Sequence, residues 1–134
     1  RYDSYPRRRG ITRIDQLLEA GCNVSFAQDS ISDPWYPLGN GNLIHQVDFG
    51  LHLGHLMSLE QIRNGLDFIT INGARTLSVE EGYSLKKGNK ASFIVLDAPD
   101  ELTAIRERAH VLLSVRNGKV IVEKRPEEIL TEPF

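Results

Sequence analysis

The 134-residue chain has few of the features that mark several common classes of protein. It contains one cysteine, which excludes an internal disulfide and fits a reducing cytoplasm. No apolar run approaches the roughly 18 residues that a membrane-spanning helix needs. The net charge of -2 provides no positive excess for binding nucleic acid. We therefore expect a cytoplasmic protein that has neither a membrane nor a nucleic acid as partner.

Positive charge is concentrated near the start of the chain, at Arg7–Gly10. A solvated loop ahead of a helix explains this cluster better than a phosphate-binding site does. The sequence begins at RYDSYP, without methionine, which suggests a piece of a longer protein.

The first third of the chain has the pattern of an α/β unit. Apolar residues recur at helical spacing before Gly21, where we expect the helix to end: Ile11, Ile14, Leu17 and Leu18. The short apolar run Cys22–Ala27 predicts a buried strand. A helix, a tight glycine turn and a buried strand are typical of a parallel α/β sheet or barrel.

A loop over Gln28–Gly41 separates this strand from three predicted helices. The first covers Asn42–Met57. The second covers residues 59–69 and is capped by Ser58. The third is short and lies near Ala74–Leu77.

The last part of the chain changes to a β-type pattern. Residues 91–98 read as a strand, and residues 100–108 as one or two helical turns. Asn117-Gly118 joins two further β-rich runs as a hairpin. The tail from residue 125 is polar and is predicted to be irregular. We thus predict an α/β protein in three parts: residues 1–57 as the last unit of a barrel, 58–82 as connecting helices, and 83–134 with part of a small β sheet.

Asp29 is the first candidate functional residue, because it follows the predicted strand directly. Barrel active sites lie at the C-terminal ends of the strands, where a carboxylate can bind a metal or accept a proton. The alternative is an Asx turn that merely caps the loop. Trp35 is a candidate wall for a flat ring, and the alternative is a hydrophobic anchor of the loop. Asp33 could brace that loop.

The histidines of the helix predicted over Asn42–Met57 offer a weaker metal hypothesis. His52 and His55 share a helix face, but no HExxH pattern and no nearby carboxylate completes a ligand set. His45 and His52 are two turns apart and could line a subunit contact.

Larger blocks of the sequence resemble bacterial cytosine deaminase and its relatives in the amidohydrolase superfamily. The specific block is QDSISDPWYPLGNGN, residues 28–42. Three further blocks follow the family in the same order and are shared more generally within the superfamily. They are ITINGARTL, GYSLKKGNKASFIVLDA and SVRNGKVIVEK. The resemblance covers nearly the whole chain and corresponds to the C-terminal portion of such enzymes.

The resemblance implies the end of a TIM-type (β/α)8 metal-dependent hydrolase barrel plus part of a β-sandwich. Asp29 matches the aspartate that binds one divalent metal, Fe²⁺ or Zn²⁺, and takes a proton from the attacking water. Ser30 and Trp35 match substrate-side positions. The implied reaction is the hydrolytic deamination of cytosine to uracil, and the implied assembly is a homo-oligomer.

Two departures bear on the substrate and on the activity of this chain alone. Ser30 stands where the best-known cytosine deaminases have a second acidic residue, and Gln28 stands where histidine is common. An aminotriazine is therefore an alternative small-molecule substrate. The family's other metal ligands have no match here, so the missing N-terminal portion of the protein is an expected partner. A chain that binds no metal and serves as a structural or interaction module is the remaining alternative.

Overall fold

The computed structural model describes residues 10–125. Of the basic cluster, only Gly10 falls within this range, and of the tail predicted to be irregular, only Arg125 does. The other residues of both segments lie outside the described residues.

Short helices dominate the first two thirds of this range. They are α1 (Ile14–Glu19), α2 (Leu43–Leu53), α3 (Leu59–Arg63), a 3-10 helix (Gly65–Ile69), α4 (Ile71–Thr76) and, further along the chain, α5 (Glu101–Arg106).

The first helix ends where the sequence predicts. Gly21 adopts a positive φ of 74°, and its N–H donates to the carbonyl oxygen of Leu18 at 2.9 Å. The N–H of Cys22 donates to the carbonyl oxygen of Leu17, also at 2.9 Å. These two hydrogen bonds form a Schellman motif, in which glycine takes the left-handed conformation without a side-chain penalty.

The second helix is shorter than predicted. The Asn42 side chain accepts a hydrogen bond from the N–H of Ile44, so the predicted start is confirmed within a residue. The predicted end at Met57 is wrong. The helix stops at Leu53, Gly54 caps it, and His55 turns the chain with a φ of 55°. The helical spacing of apolar residues in the sequence extends past this turn, because Leu56, which follows the turn, is also buried.

The predicted helix over residues 59–69 is divided in two. Ser58 and Gln61 form a capping box that starts α3, as the sequence predicts. The α-helix ends at Arg63, and the backbone tightens into the 3-10 helix from Gly65. A Cβ at Gly65 would lie 2.8 Å from Ile105 Cδ1, so this close approach of the backbone to the core requires glycine.

The strand predicted over Cys22–Ala27 is not formed in the described residues, where this segment is extended but belongs to no sheet. A parallel strand needs hydrogen-bonded neighbours, and residues 10–125 supply no strand on either side of this segment. It is held instead by the N–H of Phe26, which donates to the carbonyl oxygen of Phe68 at 2.9 Å. The two phenyl rings stack with centroids 4.4 Å apart. We call residues 22–27 the extended segment.

The predicted β-rich part forms an antiparallel sheet of β1 (Phe93–Leu96), β2 (Val111–Arg116) and β3 (Lys119–Glu123), in the order β1-β2-β3. Asn117 and Gly118 have φ values of 50° and 77°, as a type I′ hairpin turn requires, so the predicted hairpin is confirmed. Every residue of β3 is exposed.

One apolar cluster joins the helices. Its buried members come from several parts of the sequence: Ile14, Val47, Leu51, Leu56, Phe68 and Ile105. Val47 is fully buried at its centre. Because α5 contributes Ile105, this core connects the segment between β1 and β2 to the N-terminal helices. The division into parts at residues 57 and 82 stays a prediction.

Candidate active-site cleft

The candidate site is built on the loop that connects the extended segment to α2. Asp29 lies at the start of this loop, immediately after Gln28, and it is exposed. The side-chain oxygen of Gln28 accepts a hydrogen bond from the N–H of Ser30 at 3.3 Å. The extended segment therefore delivers Asp29 to the surface while Ser30 turns inward and is only 6% exposed.

Asp33 organises the middle of the loop. Its Oδ1 accepts hydrogen bonds from the N–H of Tyr36 at 2.8 Å and the N–H of Trp35 at 3.0 Å. Ser30, which is buried, also lies close enough to this carboxylate to lower its pKa. The Tyr36 N–H, followed by Ser30 and the Trp35 N–H, holds the pKa of Asp33 below its ordinary value. The predicted bracing role of Asp33 is confirmed.

The loop closes through a contact between its two ends. The Gly39 carbonyl oxygen accepts hydrogen bonds from the Ser32 N–H at 2.8 Å and the Ser32 hydroxyl at 3.0 Å. A Cβ at Gly39 would overlap the carbonyl oxygen of Ser30. Glycine at this position thus allows the loop to fold back onto the residue that follows Asp29.

The loop and α2 enclose a cleft of about 390 Å³. This volume is within the range of roughly 300–1,000 Å³ that is usual for sites that bind small molecules. The three residues that the sequence singles out, Asp29, Ser30 and Trp35, all line the cleft. Trp35 is 87% exposed, so the face of its indole is free of protein contact. The other polar and aromatic lining residues are Gln28, Tyr36, Asn40, His45, Gln46, Asp48, Phe49 and Arg108.

Sequence reasoning missed several of these lining residues. His45 was considered for a subunit contact, yet it lies in the wall of the cleft that contains Asp29. The position of His45 in the first turn of α2 could have indicated that it lines the cleft, because this turn directly follows the loop that carries Asp29. Arg108 carried no signal, since only tertiary packing brings it to the cleft. His52 and His55 do not line the cleft.

Within residues 10–125, no group of three or more His, Cys, Asp or Glu side chains could hold a metal ion. A catalytic metal in a protein needs about three protein ligands and an open position. Asp29 has the carboxylate chemistry of one such ligand, but the described residues by themselves do not fit a complete metal site. Over the same range, no helix has the length and apolar character to cross a membrane.

Comparison with known proteins is consistent with this geometry. The model of the amidohydrolase family matches residues 1–122. N-isopropylammelide isopropyl amidohydrolase from Pseudomonas sp. (strain ADP) is 34% identical over 110 residues, which are 82% of this chain and 27% of that protein.

Solved structures of 5-methylcytosine deaminase from Klebsiella pneumoniae are also similar to this chain. The structure with 5-fluorocytosine shows a TM-score of 0.88 and 48% identity. The structure with phosphonocytosine shows a TM-score of 0.87 and 46% identity. Each match covers 97% of this chain and 32% of the solved one.

The chain therefore spans about a third of the length of these relatives, as a portion of such an enzyme would. The family match covers most of the sequence, including the loop and the cleft. The resemblance seen in the sequence blocks is confirmed, and the chain belongs to the amidohydrolase family.

Proposed function

We propose that this chain is the C-terminal portion of a metal-dependent amidohydrolase that removes the amino group from a cytosine-like ring. The observation that carries the proposal is the cleft in which Asp29, Ser30 and Trp35 come together. The named activity of the Klebsiella relative, at 46–48% identity, supports a cytosine-type ring. In this proposal the chain completes the last unit of a (β/α)8 barrel and part of a β-sandwich.

Exposed apolar surface supports packing against further polypeptide. Ile94, Val120, Ile121 and Val122 of the sheet are 49–57% exposed, and the extended segment has no strand neighbour within residues 10–125. In the complete protein, the remaining portion would pair with the extended segment and supply the other metal ligands. Asp29 would be one ligand of a divalent metal, which provides Lewis-acid chemistry when bound.

The reaction assigns definite tasks to the residues of this chain. The oxygen of a water molecule bonds to the ring carbon that carries the amino group, and the Asp29 carboxylate accepts a proton from that water. The C–N bond then breaks as the proton held by Asp29 passes to the departing nitrogen, which leaves as ammonia. The second proton of the water passes to the neighbouring ring nitrogen, and an oxo group remains on the ring. The exposed indole of Trp35 offers a flat apolar surface on which the ring can stack.

A second candidate substrate class is the aminotriazine ring. It is favoured by the 34% identity to an N-isopropylammelide amidohydrolase, whose name describes removal of a substituted amine. Both classes share the flat ring and the exocyclic nitrogen, so the same stacking on Trp35 is proposed for either. Three further statements are parts of this proposal: that cytosine is the substrate, that the metal is Fe²⁺ or Zn²⁺, and that the protein is a homo-oligomer.

The test is ammonia release by the complete protein that carries this chain, with cytosine, 5-methylcytosine and an aminotriazine as substrates. We expect faster turnover of the cytosine-type rings. Asp29→Ala should reduce turnover by at least about 10²-fold, the lower range for loss of a proton-transfer group. Because Asp29 is exposed at the end of the extended segment, circular dichroism should show an unchanged fold.

Near-normal turnover by Asp29→Ala would refute the proposed role of this residue. Preferred turnover of the triazine would select the second substrate class. No ammonia from any of the rings, together with no bound metal, would instead support a non-catalytic module.

A further inference from the structure

Asp33 links residues of the cleft wall through one carboxylate. Its Oδ1 accepts the main-chain N–H groups of Trp35 and Tyr36. The buried Ser30, which follows Asp29, lies close enough to the same carboxylate to lower its pKa. Asp33 does not line the cleft itself, whereas these three partners do. Its hydrogen bonds are therefore internal to the wall.

At Trp35 the side chain and the main chain are held differently. The indole is 87% exposed, so packing does not hold it in place. Its main chain is held by the Asp33 carboxylate at 3.0 Å. A hydrogen bond to a charged group contributes more than one between neutral groups. The direction in which Trp35 leaves the loop therefore depends on Asp33.

We propose that Asp33 is a positioning residue, which fixes Trp35 relative to Asp29 so that a flat ring on the indole meets the reactive side of the cleft. This inference rests on the proposed function. Asp33 touches neither substrate nor the reacting atoms and acts through the main-chain N–H groups of Trp35 and Tyr36. Its removal should weaken ring binding while the rest of the fold persists.

The chain contains a matched control for a purely structural role. Asp100 caps α5 by accepting the N–H of Thr103 at 2.7 Å on Oδ1. Its pKa is lowered, as that of Asp33 is, chiefly by a backbone N–H. Asp100 is outside the cleft. Asp100→Ala therefore removes the same type of interaction at a place that does not contact the proposed substrate.

The first experiment needs no catalysis. The 134-residue chain contains one tryptophan, so the decay of tryptophan fluorescence anisotropy reports on Trp35 alone. We expect the local depolarisation of Trp35 to be the same in the wild type and in Asp100→Ala, and faster in Asp33→Ala, where the main chain that carries the indole is released. Asp33→Asn should resemble the wild type, because its amide oxygen can still accept both N–H groups. Equal local motion in Asp33→Ala and the wild type would overturn the proposal.

The second experiment measures kinetics in the complete amidohydrolase. Asp33→Ala should raise KM for the ring substrate by about tenfold with a smaller change in kcat, as expected when a binding surface is misplaced. Asp33→Asn should restore most of the loss, and Asp100→Ala should leave KM unchanged. Equal KM values for Asp33→Ala and Asp100→Ala would contradict a positioning role. Wild-type inactivity would refute the proposed function instead, and the anisotropy experiment would still decide whether Asp33 orients Trp35.

Discussion

Asp48 and Arg108 lie 60 residues apart in the sequence and are joined by two hydrogen bonds to one carboxylate oxygen. Arg108 donates from Nη2 at 2.7 Å and from Nε at 2.9 Å to Asp48 Oδ2. The pair links α2 to the turn that follows α5, and both residues line the cleft. Arg108 adopts a φ of 51°, a conformation that is costly for a residue with a side chain. The ion pair partly offsets this cost.

The contribution of the ion pair can be separated from the backbone cost by comparing two glycine variants. His55 has a φ of 55° in the corresponding position after α2, and it is exposed. His55→Gly should increase the free energy of unfolding by up to about 1 kcal/mol, because it relieves the left-handed backbone cost of roughly 1–2 kcal/mol against an entropic cost of glycine of roughly 0.5–1 kcal/mol. Arg108→Gly should gain less, because it also loses a partly exposed ion pair worth roughly 0.2–1 kcal/mol.

Urea unfolding of the two variants measures this difference, which should shrink in 1 M salt because ions screen the pair. Equal stabilisation by both substitutions at low salt would show that the ion pair contributes nothing measurable.

A second prediction concerns the packing of the extended segment against α2. A Cβ at Gly50 would overlap the ring of Phe26, and that ring is stacked on Phe68. Gly50→Ala should therefore destabilise the protein by about 1–3 kcal/mol, the usual cost of overpacking. Chemical denaturation monitored by circular dichroism measures the effect.

Gly73 is the control, because it also lies within a helix and no atom stands within 4 Å of the site of its Cβ. Gly73→Ala should be neutral or stabilising by up to about 1 kcal/mol. A Gly50→Ala protein as stable as the wild type would mean that Phe26 moves aside without loss.

The third prediction concerns Ser30 as a determinant of substrate preference. Ser30 is buried beside Asp33, so Ser30→Asp places a second carboxylate next to an existing one. We expect the ratio of kcat/KM for cytosine to that for 5-methylcytosine to change, because both the size and the charge of this wall change. Ser30→Ala, which removes the hydroxyl without adding charge, is the control. An unchanged ratio in Ser30→Asp would show that Ser30 does not determine the substrate preference.

The fourth prediction is a pH dependence of stability. The N–H of Thr103 is the main cause that lowers the pKa of Asp100 from its ordinary value of 3.8. Because the folded-state pKa lies below the unfolded one, this group stabilises the fold above about pH 4. The stabilisation is lost as the pH falls through the folded-state value.

Unfolding experiments between pH 7 and pH 2 should thus show a smaller acid-induced loss of stability for Asp100→Asn than for the wild type. The comparison isolates one group, because the substitution keeps an acceptor oxygen and removes the titration. Identical pH profiles would indicate that Asp100 has the same pKa in the folded and unfolded states.

Local signals were sufficient for the elements whose causes lie within a few residues. Asn117-Gly118 predicts its hairpin because two positive φ angles suit these residue types. Ser58 predicts the start of α3 because its capping partner Gln61 is three residues away. Gly21 predicts the end of α1 for the same kind of reason.

Elements that depend on distant partners were predicted less well. The extended segment has the apolar pattern of a strand, but a strand exists only when neighbours accept its hydrogen bonds. The helix over residues 59–69 breaks because Gly65 must approach Ile105, which is 40 positions further along the chain. Neither fact is visible in a local window of the sequence.

The sequence by itself determined the family, the position of Asp29 at the start of the loop, and the local turns, since these depend on residue types at fixed short spacing. Tertiary structure decided which distant side chains share the cleft, because Arg108 reaches it only where the turn after α5 meets Asp48 of α2. It also decided that Ser30 is buried while Trp35 is exposed, since the fold-back of the loop onto Gly39 sets those two environments.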